Sequence, residues 1–150
     1  MNRERGFSLI EILLVAALIA VASGLAVAAI SGGAPGVQLR SQAREIAAQL
    51  RFTRARALAS GEAQRFTIVP AEHSWHAPEG RNGQISKRMD VSFTGARELM
   101  PQAGEGAIVF FPRGHSTGGA VRVAMRGSAW DVEAAWLTGE VRIRRVEASQ

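Results

Sequence analysis

One ionisable side chain, Glu11, lies inside an otherwise apolar run over residues 7–30. As a helix this run would be about 36 Å long, which exceeds the roughly 30 Å hydrocarbon core of a bilayer. A carboxylate inside a membrane span costs about 2.5–3.5 kcal/mol on insertion scales, so we expect it to have a partner. No Lys, Arg or His lies between Phe7 and Ala29 to provide one.

Proteolysis could create the missing partner of Glu11. Cleavage between Gly6 and Phe7 would expose an α-amino group four residues before the carboxylate. An amine with an ordinary pKa of about 8 is largely protonated at neutral pH, and a nearby carboxylate favours its charged form. The pair could form within one chain, or between the amine of one subunit and Glu11 of its neighbour. The second arrangement would set the axial register of a stack of helices.

The N-terminal pattern resembles the type IV prepilin class of signal. It combines a short basic leader, residues 1–6, with Gly6 before Phe7, Glu11 and the apolar run. The resemblance implies cleavage after Gly6 by a prepilin peptidase, N-methylation of Phe7 and filament assembly through Glu11. A secretory signal peptide cleaved near Ala28 is a competing interpretation, but its apolar region is usually only ~7–15 residues long. A plain single-pass anchor would leave Glu11 unexplained.

Charges on either side of the apolar run predict its orientation. Arg3 and Arg5 precede it, and no charge follows it until Arg40. Under the positive-inside rule the N-terminus stays cytoplasmic and the rest of the chain lies outside. We therefore predict a single-pass inner-membrane protein with a periplasmic C-terminal head and the lipid bilayer as one partner.

Residues 7–30 are the predicted transmembrane helix, and the chain after them divides into three parts. Residues 31–36 contain two adjacent glycines and a proline, which predict a break that is either a hinge or an ordinary juxtamembrane interruption. Residues 37–60 have helical periodicity and predict an amphipathic helix that Gly61 ends. Residues 61–150 contain short alternating segments and predict a β-rich periplasmic head. The expected fold class is α+β and pilin-like: a long N-terminal helix, half transmembrane and half amphipathic, packed on a C-terminal antiparallel sheet or sandwich.

The amphipathic helix has two adjacent apolar stripes and an arginine-rich face. The first stripe is Leu39, Ala43, Ile46, Leu50, Thr53 and Ala57, and the second is Ala48, Phe52, Ala55 and Ala59. Arg40, Arg44, Arg51 and Arg54 occupy much of the remainder. We interpret these arginines as a solvated face, with lipid headgroups, nucleic acid or acids of neighbouring subunits as other possible contacts.

The strands of the head are predicted from alternation and turn residues. They cover residues 64–69, 74–77, 84–89, 91–93, 107–111, 120–125, 130–136 and 141–146. Asn82 followed by Gly83 predicts a hairpin turn. Trp75, Trp130 and Trp136 are predicted to pack in the core or on a sheet face.

A second resemblance lies in residues 110–119, whose sequence is FFPRGHSTGG. It resembles the F-x-P-x-G-x-S-T-G-G stretch of the pseudopilin H domain of type II secretion, which some minor type IV pilins share. Arg113 stands where an acidic or amide residue is common. The resemblance implies a minor pseudopilin, a structural subunit of the periplasmic pseudopilus. The implied partners are prepilin peptidase, major and minor pseudopilins, and the inner-membrane assembly platform.

Residues 114–118 also match G-x-S-x-G, the nucleophile elbow of α/β-hydrolases. That motif requires a helix after the turn, and an Asp and then a His later in the chain. The histidines are His73, His76 and His115, and none follows Ser116. The chain has no cysteine, and His73 and His76 lack a clear third ligand for a metal. We therefore predict no enzyme, no catalytic residue, no cofactor and no metal site.

Three arginines near the C-terminus support an alternative function. Arg142, Arg144 and Arg145 lie on a predicted strand in a chain whose formal net charge is +5. Minor type IV pilins that take up DNA share the head domain and use a basic C-terminal surface. The alternative is therefore a minor type IV pilin for pilus assembly or DNA uptake, with nucleic acid as a salt-sensitive partner. Arginines on an edge strand also protect against aggregation.

Overall fold

The computed structural model describes residues 9–31, 35–95 and 104–147. The predicted leader and the cleavage position between Gly6 and Phe7 therefore lie outside the described residues. The chain divides into two compact units, Met1–Ala34 and Pro35–Gln150.

The first unit contains helix α1, Leu9–Ser31. Large apolar side chains are exposed along its described surface from Leu9 to Val21. A helix that is apolar all round needs lipid or other helices to cover it. Judged on the described residues alone, none of the helices has both the length and the apolar character that crossing a membrane requires. The transmembrane helix predicted for residues 7–30 begins outside the described range and stays a prediction.

The second unit begins with helix α2, Pro35–Ser60. Pro35 and Gly36, which the sequence assigns to the break, are its first residues. Proline suits this position because its φ is already helical and its missing N–H has no partner in the first turn. The helix ends as predicted at Gly61, whose φ is 69° and whose N–H donates to the carbonyl of Ala57 at 3.1 Å.

One face of α2 is buried. All six residues of the first predicted stripe have no exposed surface, and Ala47 joins them. The second stripe is wrong, because Ala48, Ala55 and Ala59 are exposed and Phe52 is half-buried. The sheets contact α2 along a single face, and these residues lie beside that face. Phe52 is instead covered by the guanidinium of Arg81, which lies 4.0 Å from its ring centroid.

Within residues 35–95 and 104–147, eight antiparallel strands form two four-stranded sheets. The strands are β1 Gln64–Val69, β2 Ser74–Ala77, β3 Arg81–Gln84, β4 Asp90–Thr94, β5 Gly106–Phe110, β6 Gly119–Met125, β7 Ser128–Ala134 and β8 Val141–Glu147. Their order is β3-β2-β1-β5 in one sheet and β4-β6-β7-β8 in the other. Helix α2 contacts strands of both sheets. The predicted α+β class, a helix packed on antiparallel sheets, is confirmed.

The core of the second unit lies between α2 and the two sheets. Its fully buried large side chains on the strands are Phe66, Ile68, Ile108, Phe110, Val121, Val123 and Val132. Burying one such side chain contributes roughly 1.5–3 kcal/mol relative to leaving it in water. The strand alternation seen in the sequence follows from this burial of one sheet face.

The predicted hairpin turn at Asn82 and Gly83 is wrong, because both residues lie inside β3. The turn occupies residues 78–80, where Glu79 and Gly80 have φ of 63° and 71°. Gly83 is opposite Trp75, and a Cβ added to it would overlap the indole ring. This glycine therefore permits packing rather than a turn. The strand predicted for residues 84–89 is also wrong, since β3 ends at Gln84.

Candidate functional site

Glu11 lies near the start of the described part of α1. It lines a shallow apolar groove along the helix with Ile12, Val15, Ala16 and Ile19. Spacings of three and four residues place such side chains on one face of a helix. The only carboxylate of α1 thus adjoins an exposed apolar surface on which another helix can pack. Gly6 and Phe7 are outside the described residues, so the structure leaves their predicted roles untested.

Residues 110–119 connect the two sheets, because β5 ends at Phe110 and β6 begins at Gly119. The N–H of Phe111 donates to the carbonyl of His115 at 2.9 Å, and the two rings stack with centroids 4.6 Å apart. Thr117 donates its N–H to Val109 at 2.9 Å and accepts the N–H of Val109 on Oγ1 at 3.1 Å. These bonds hold the motif as a tight crossover between strands.

Ser116 uses its hydroxyl to join two loops. Its Oγ donates to the carbonyl of Ala135 at 3.1 Å and accepts the N–H of Gly118 at 3.0 Å. Its own N–H donates to the carbonyl of Trp136 at 2.9 Å. The side chain is buried, and strand β6 rather than a helix follows it. The arrangement lacks the strand–turn–helix geometry of a nucleophile elbow.

Arg54 of α2 ties the same two loops to the helix. Its Nε donates to the carbonyl of Gly114 at 3.2 Å, and its Nη2 donates to the carbonyl of Thr138 at 3.1 Å. Arg51 similarly donates to the carbonyl of Val141 at 3.1 Å. The prediction of a merely solvated arginine face is therefore wrong for these two residues. Helical periodicity places both arginines outside the apolar stripes of α2, but the sequence does not indicate that they bond to backbone carbonyls of the loops and of β8.

Trp136, predicted to pack in the core or on a sheet, is 69% exposed. It follows the end of β7, and Leu137 beside it is also exposed. The alternation of β7 stops at Ala134, so Trp136 belongs to the loop before β8. Its backbone carbonyl accepts the N–H of Ser116.

The three C-terminal arginines do not share one face of β8. Side chains alternate along a strand, so Arg142 and Arg144 lie on one face and Arg145 on the other. Arg142 pairs with Glu140 at 2.7 Å, and Arg144 pairs with Glu133. The hydrogen bond from Arg142 also lowers the pKa of Glu140. The structure therefore does not bring the predicted DNA contacts together, and two of the three charges are neutralised locally.

The ion pairs on this sheet face extend across neighbouring strands. Arg122 on β6 donates two hydrogen bonds to Asp131 on β7, at 2.7 and 2.9 Å. These bonds lower the pKa of Asp131, while partial burial acts in the opposite direction and the charges of Arg122 and Arg144 add to the lowering. Strand β8 is an edge strand of its sheet. Paired charges here discourage edge-to-edge association.

Solved structures of two bacterial proteins resemble this fold. The minor pseudopilin EpsH from the type 2 secretion system of Vibrio cholerae has a TM-score of 0.54 at 14% identity, and the match covers 75% of this chain and 99% of that chain. The type IV minor pilin FimU of Pseudomonas aeruginosa has a TM-score of 0.54 at 12% identity, covering 71% of this chain and 87% of that chain. At these identities the likeness establishes the pilin-like fold.

Sequence comparison is more specific. The family described as Type II transport protein GspH matches residues 42–139, and the prokaryotic N-terminal methylation motif matches residues 1–27. A Xanthomonas campestris pv. campestris protein named Type II secretion system protein H is 49% identical over 92% of this chain and 82% of its own length. A Klebsiella pneumoniae protein of the same name is 30% identical over 85% of this chain and 73% of its own length. The chain therefore belongs to the GspH family of type II transport proteins.

Proposed function

We propose that the protein is a minor pseudopilin, a structural subunit of the periplasmic pseudopilus of type II secretion. The observation that carries the proposal is the presence in one chain of an N-terminal methylation motif, residues 1–27, and a GspH head, residues 42–139. The two relatives described above are both named Type II secretion system protein H.

Processing would create the assembly-competent subunit. Prepilin peptidase would cleave after Gly6, Phe7 would be N-methylated, and the new amine would pair with Glu11 of its own or a neighbouring chain. The groove on α1 beside Glu11 supports packing of a second helix at that position. Major and minor pseudopilins and the inner-membrane assembly platform are the proposed partners.

Before assembly, the apolar segment of residues 7–30 would anchor the protein in the inner membrane. Arg3 and Arg5 support a cytoplasmic N-terminus, and the head would then be periplasmic. The residues of the head that resembled a catalytic motif serve the connection between sheets, with Ser116 bonded to the next loop. We therefore assign the head a scaffolding role.

The described residues do not favour the alternative function, DNA uptake by a type IV pilin, which was based on Arg142, Arg144 and Arg145. A duplex backbone is bound by several cations that face it together. Here the strand separates Arg145 from the other two, which already contact acids. Likeness to a type IV minor pilin concerns the fold alone.

Glu11→Ala tests the proposal in cells that carry the secretion system. We expect the variant to be cleaved like the wild type, because the cleavage position is unchanged, but to be incorporated less into pseudopili. Mass spectrometry of membrane-extracted protein measures the mature N-terminus, and cross-linking to the major pseudopilin measures incorporation. Glu72→Ala, which removes an exposed acid of the head, is the matched control. Retention of Met1, a mature start near Ala29 or unchanged incorporation would contradict the proposal.

A further inference from the structure

We propose that the head binds the headgroup of an anionic phospholipid in a cleft beside the first turns of α2. The inference rests on the membrane-anchored state proposed above and adds to it a specific contact between the head and the bilayer.

The cleft has a volume of about 460 Å³ and lies between the start of α2 and the β7–β8 pair. Its lining is Gly36, Val37, Arg40, Ser41, Arg44, Ser128, Trp130 and Arg145. Arg40 and Arg44 are four residues apart, so they share one face of the helix. Arg145 enters from β8, where it is the cross-strand neighbour of Trp130. Two separate elements thus direct three arginines to one place.

These three arginines differ from the others near them. Within residues 35–95 and 104–147, none of them forms a salt bridge, or a hydrogen bond to a protein acceptor through its guanidinium. The one described interaction is that of Arg40, whose guanidinium carbon lies 5.8 Å from the ring centroid of Trp130. No carboxylate lines the cleft among the described residues, and Glu147, two positions beyond Arg145 on β8, is outside its lining.

A phosphate group matches this arrangement of charge. Like charges gathered in one cleft raise the local positive potential and attract anions. Guanidinium groups present a planar fork of donors that binds phosphate oxygens in pairs. Side-chain entropy opposes holding three long arginines in place, and a bound dianion or monoanion would offset that cost.

Apolar lining and chain connectivity favour a lipid as the source of the phosphate. Val37 is 66% exposed beside the cleft, and Trp130 is half-buried in its wall. Tryptophan is enriched at membrane interfaces, where one end of the ring meets apolar chains and the other meets headgroups. Pro35 follows Ile30 by five positions, so the chain cannot separate Arg40 from the end of the predicted span by more than about 25 Å. A soluble phosphate would make no use of Val37.

Native mass spectrometry of the full-length protein in detergent tests the inference. Phosphatidylglycerol and phosphatidylcholine are titrated separately, and the fraction of protein that retains a lipid is measured. We expect retention of phosphatidylglycerol over phosphatidylcholine, and an affinity for phosphatidylglycerol that falls about fivefold for each arginine removed in R40Q/R44Q. The control R142Q/R144Q removes the same charge from the opposite face of β8 and should keep the wild-type affinity.

Several results would overturn the inference. Equal retention of the two lipids, or equal losses in R40Q/R44Q and R142Q/R144Q, would leave only a general effect of net charge. Displacement by the same concentration of inorganic phosphate would identify a phosphate site unrelated to lipid, and displacement by duplex DNA would identify a nucleic-acid site. If R40Q/R44Q melts at a lower temperature than the wild type, R145Q provides the same test from the β8 side.

Additional assays distinguish failure of the lipid site from failure of the proposed pseudopilin function. Wild type and R40Q/R44Q are also assayed for N-terminal cleavage and pseudopilus incorporation. If the wild type retains the two lipids equally but is cleaved and incorporated normally, the lipid site is refuted and the pseudopilin role stays intact. Failure of cleavage in the wild type would refute the pseudopilin role itself.

Discussion

Replacing Gly139 with alanine should destabilise the head more than an ordinary glycine replacement. Gly139 lies in the loop between β7 and β8 with φ of 63°, and its N–H donates to the carbonyl of Ala135 at 2.7 Å. A Cβ added there would overlap the carbonyl oxygen of Gly114 and lie 3.0 Å from Nε of Arg54. The two loops therefore approach each other too closely for any side chain at this position.

Gly127 provides the matched control. Its φ is 77°, and a Cβ added to it has nothing within 4 Å. Alanine in the left-handed region costs about 1 kcal/mol at either position. At Gly139 the Gly114 carbonyl must also move away from Arg54, which weakens a hydrogen bond from a charged donor worth about 1.5–3 kcal/mol. We expect a total loss of about 2–4 kcal/mol for Gly139→Ala, against about 1 kcal/mol for Gly127→Ala.

Thermal unfolding of the full-length protein, followed by circular dichroism, measures the difference. For a domain of this size 1 kcal/mol corresponds to about 4 °C in Tm, so Gly139→Ala should melt roughly 4–12 °C below Gly127→Ala. Hydrogen exchange at the amide of Ser116, which bonds to the loop carbonyl of Trp136, should accelerate in the first variant alone. Equal melting temperatures for the two variants would refute the claim that close contact between the loops makes a glycine necessary.

Two further predictions concern charged groups of the head. Arg54→Ala should lower Tm by about 4–8 °C, because two loop carbonyls lose a charged donor. The control Arg113→Ala removes an exposed arginine of one of the same loops and should leave Tm within about 2 °C of the wild type. Equal shifts in Tm for the two variants would contradict this role of Arg54. The pKa of Asp131 is lower in the folded protein, so its contribution is present above its unfolded pKa and is lost as pH falls through the folded pKa. Asp131→Asn should therefore lower stability at pH 7, and it should lose less additional stability than the wild type on acidification below about pH 4. Urea unfolding at several pH values measures both effects. Parallel pH profiles for the two proteins would show that the pair of Asp131 with Arg122 does not cause the loss of stability in acid.

The sequence predicts the fold correctly where one pattern, helical spacing or strand alternation, is clear. The first stripe of α2 repeats at helical spacing, and every member is buried. Strands β1 and β2 have the predicted boundaries, residues 64–69 and 74–77, because alternation and flanking turn residues agree there. Prediction failed where a residue type has two uses. Gly83 was expected to form a turn, but it makes room for the ring of Trp75.

The candidate sites likewise differ in whether the sequence alone could identify them. The N-terminal motif is local in sequence, so Glu11 and its apolar helix could be identified without tertiary information. The cleft that contains Arg40, Arg44 and Arg145 could not, since it depends on how β8 packs beside the start of α2. Periodicity places Arg40 and Arg44 on one helix face, but the contribution of Arg145 requires the strand register. Counting basic residues near the C-terminus grouped Arg145 with the wrong neighbours.

The proposed assembly through α1 requires that the head move together with the helix that leads into it. Helix α2 meets this requirement within the second unit, because its buried face contacts both sheets and two arginines near its far end bond to backbone carbonyls of the head. Arg54 bonds to two loops and Arg51 bonds to the first residue of β8. Arg54 in particular joins α2 to the crossover between sheets and to the β7–β8 loop with one side chain. A displacement of α2 is thereby transmitted at the core and again at the loops, so the head should move as one body with α2. This mechanical coupling gives the turn and hydrogen-bonding residues of the motif at 110–119 a structural role.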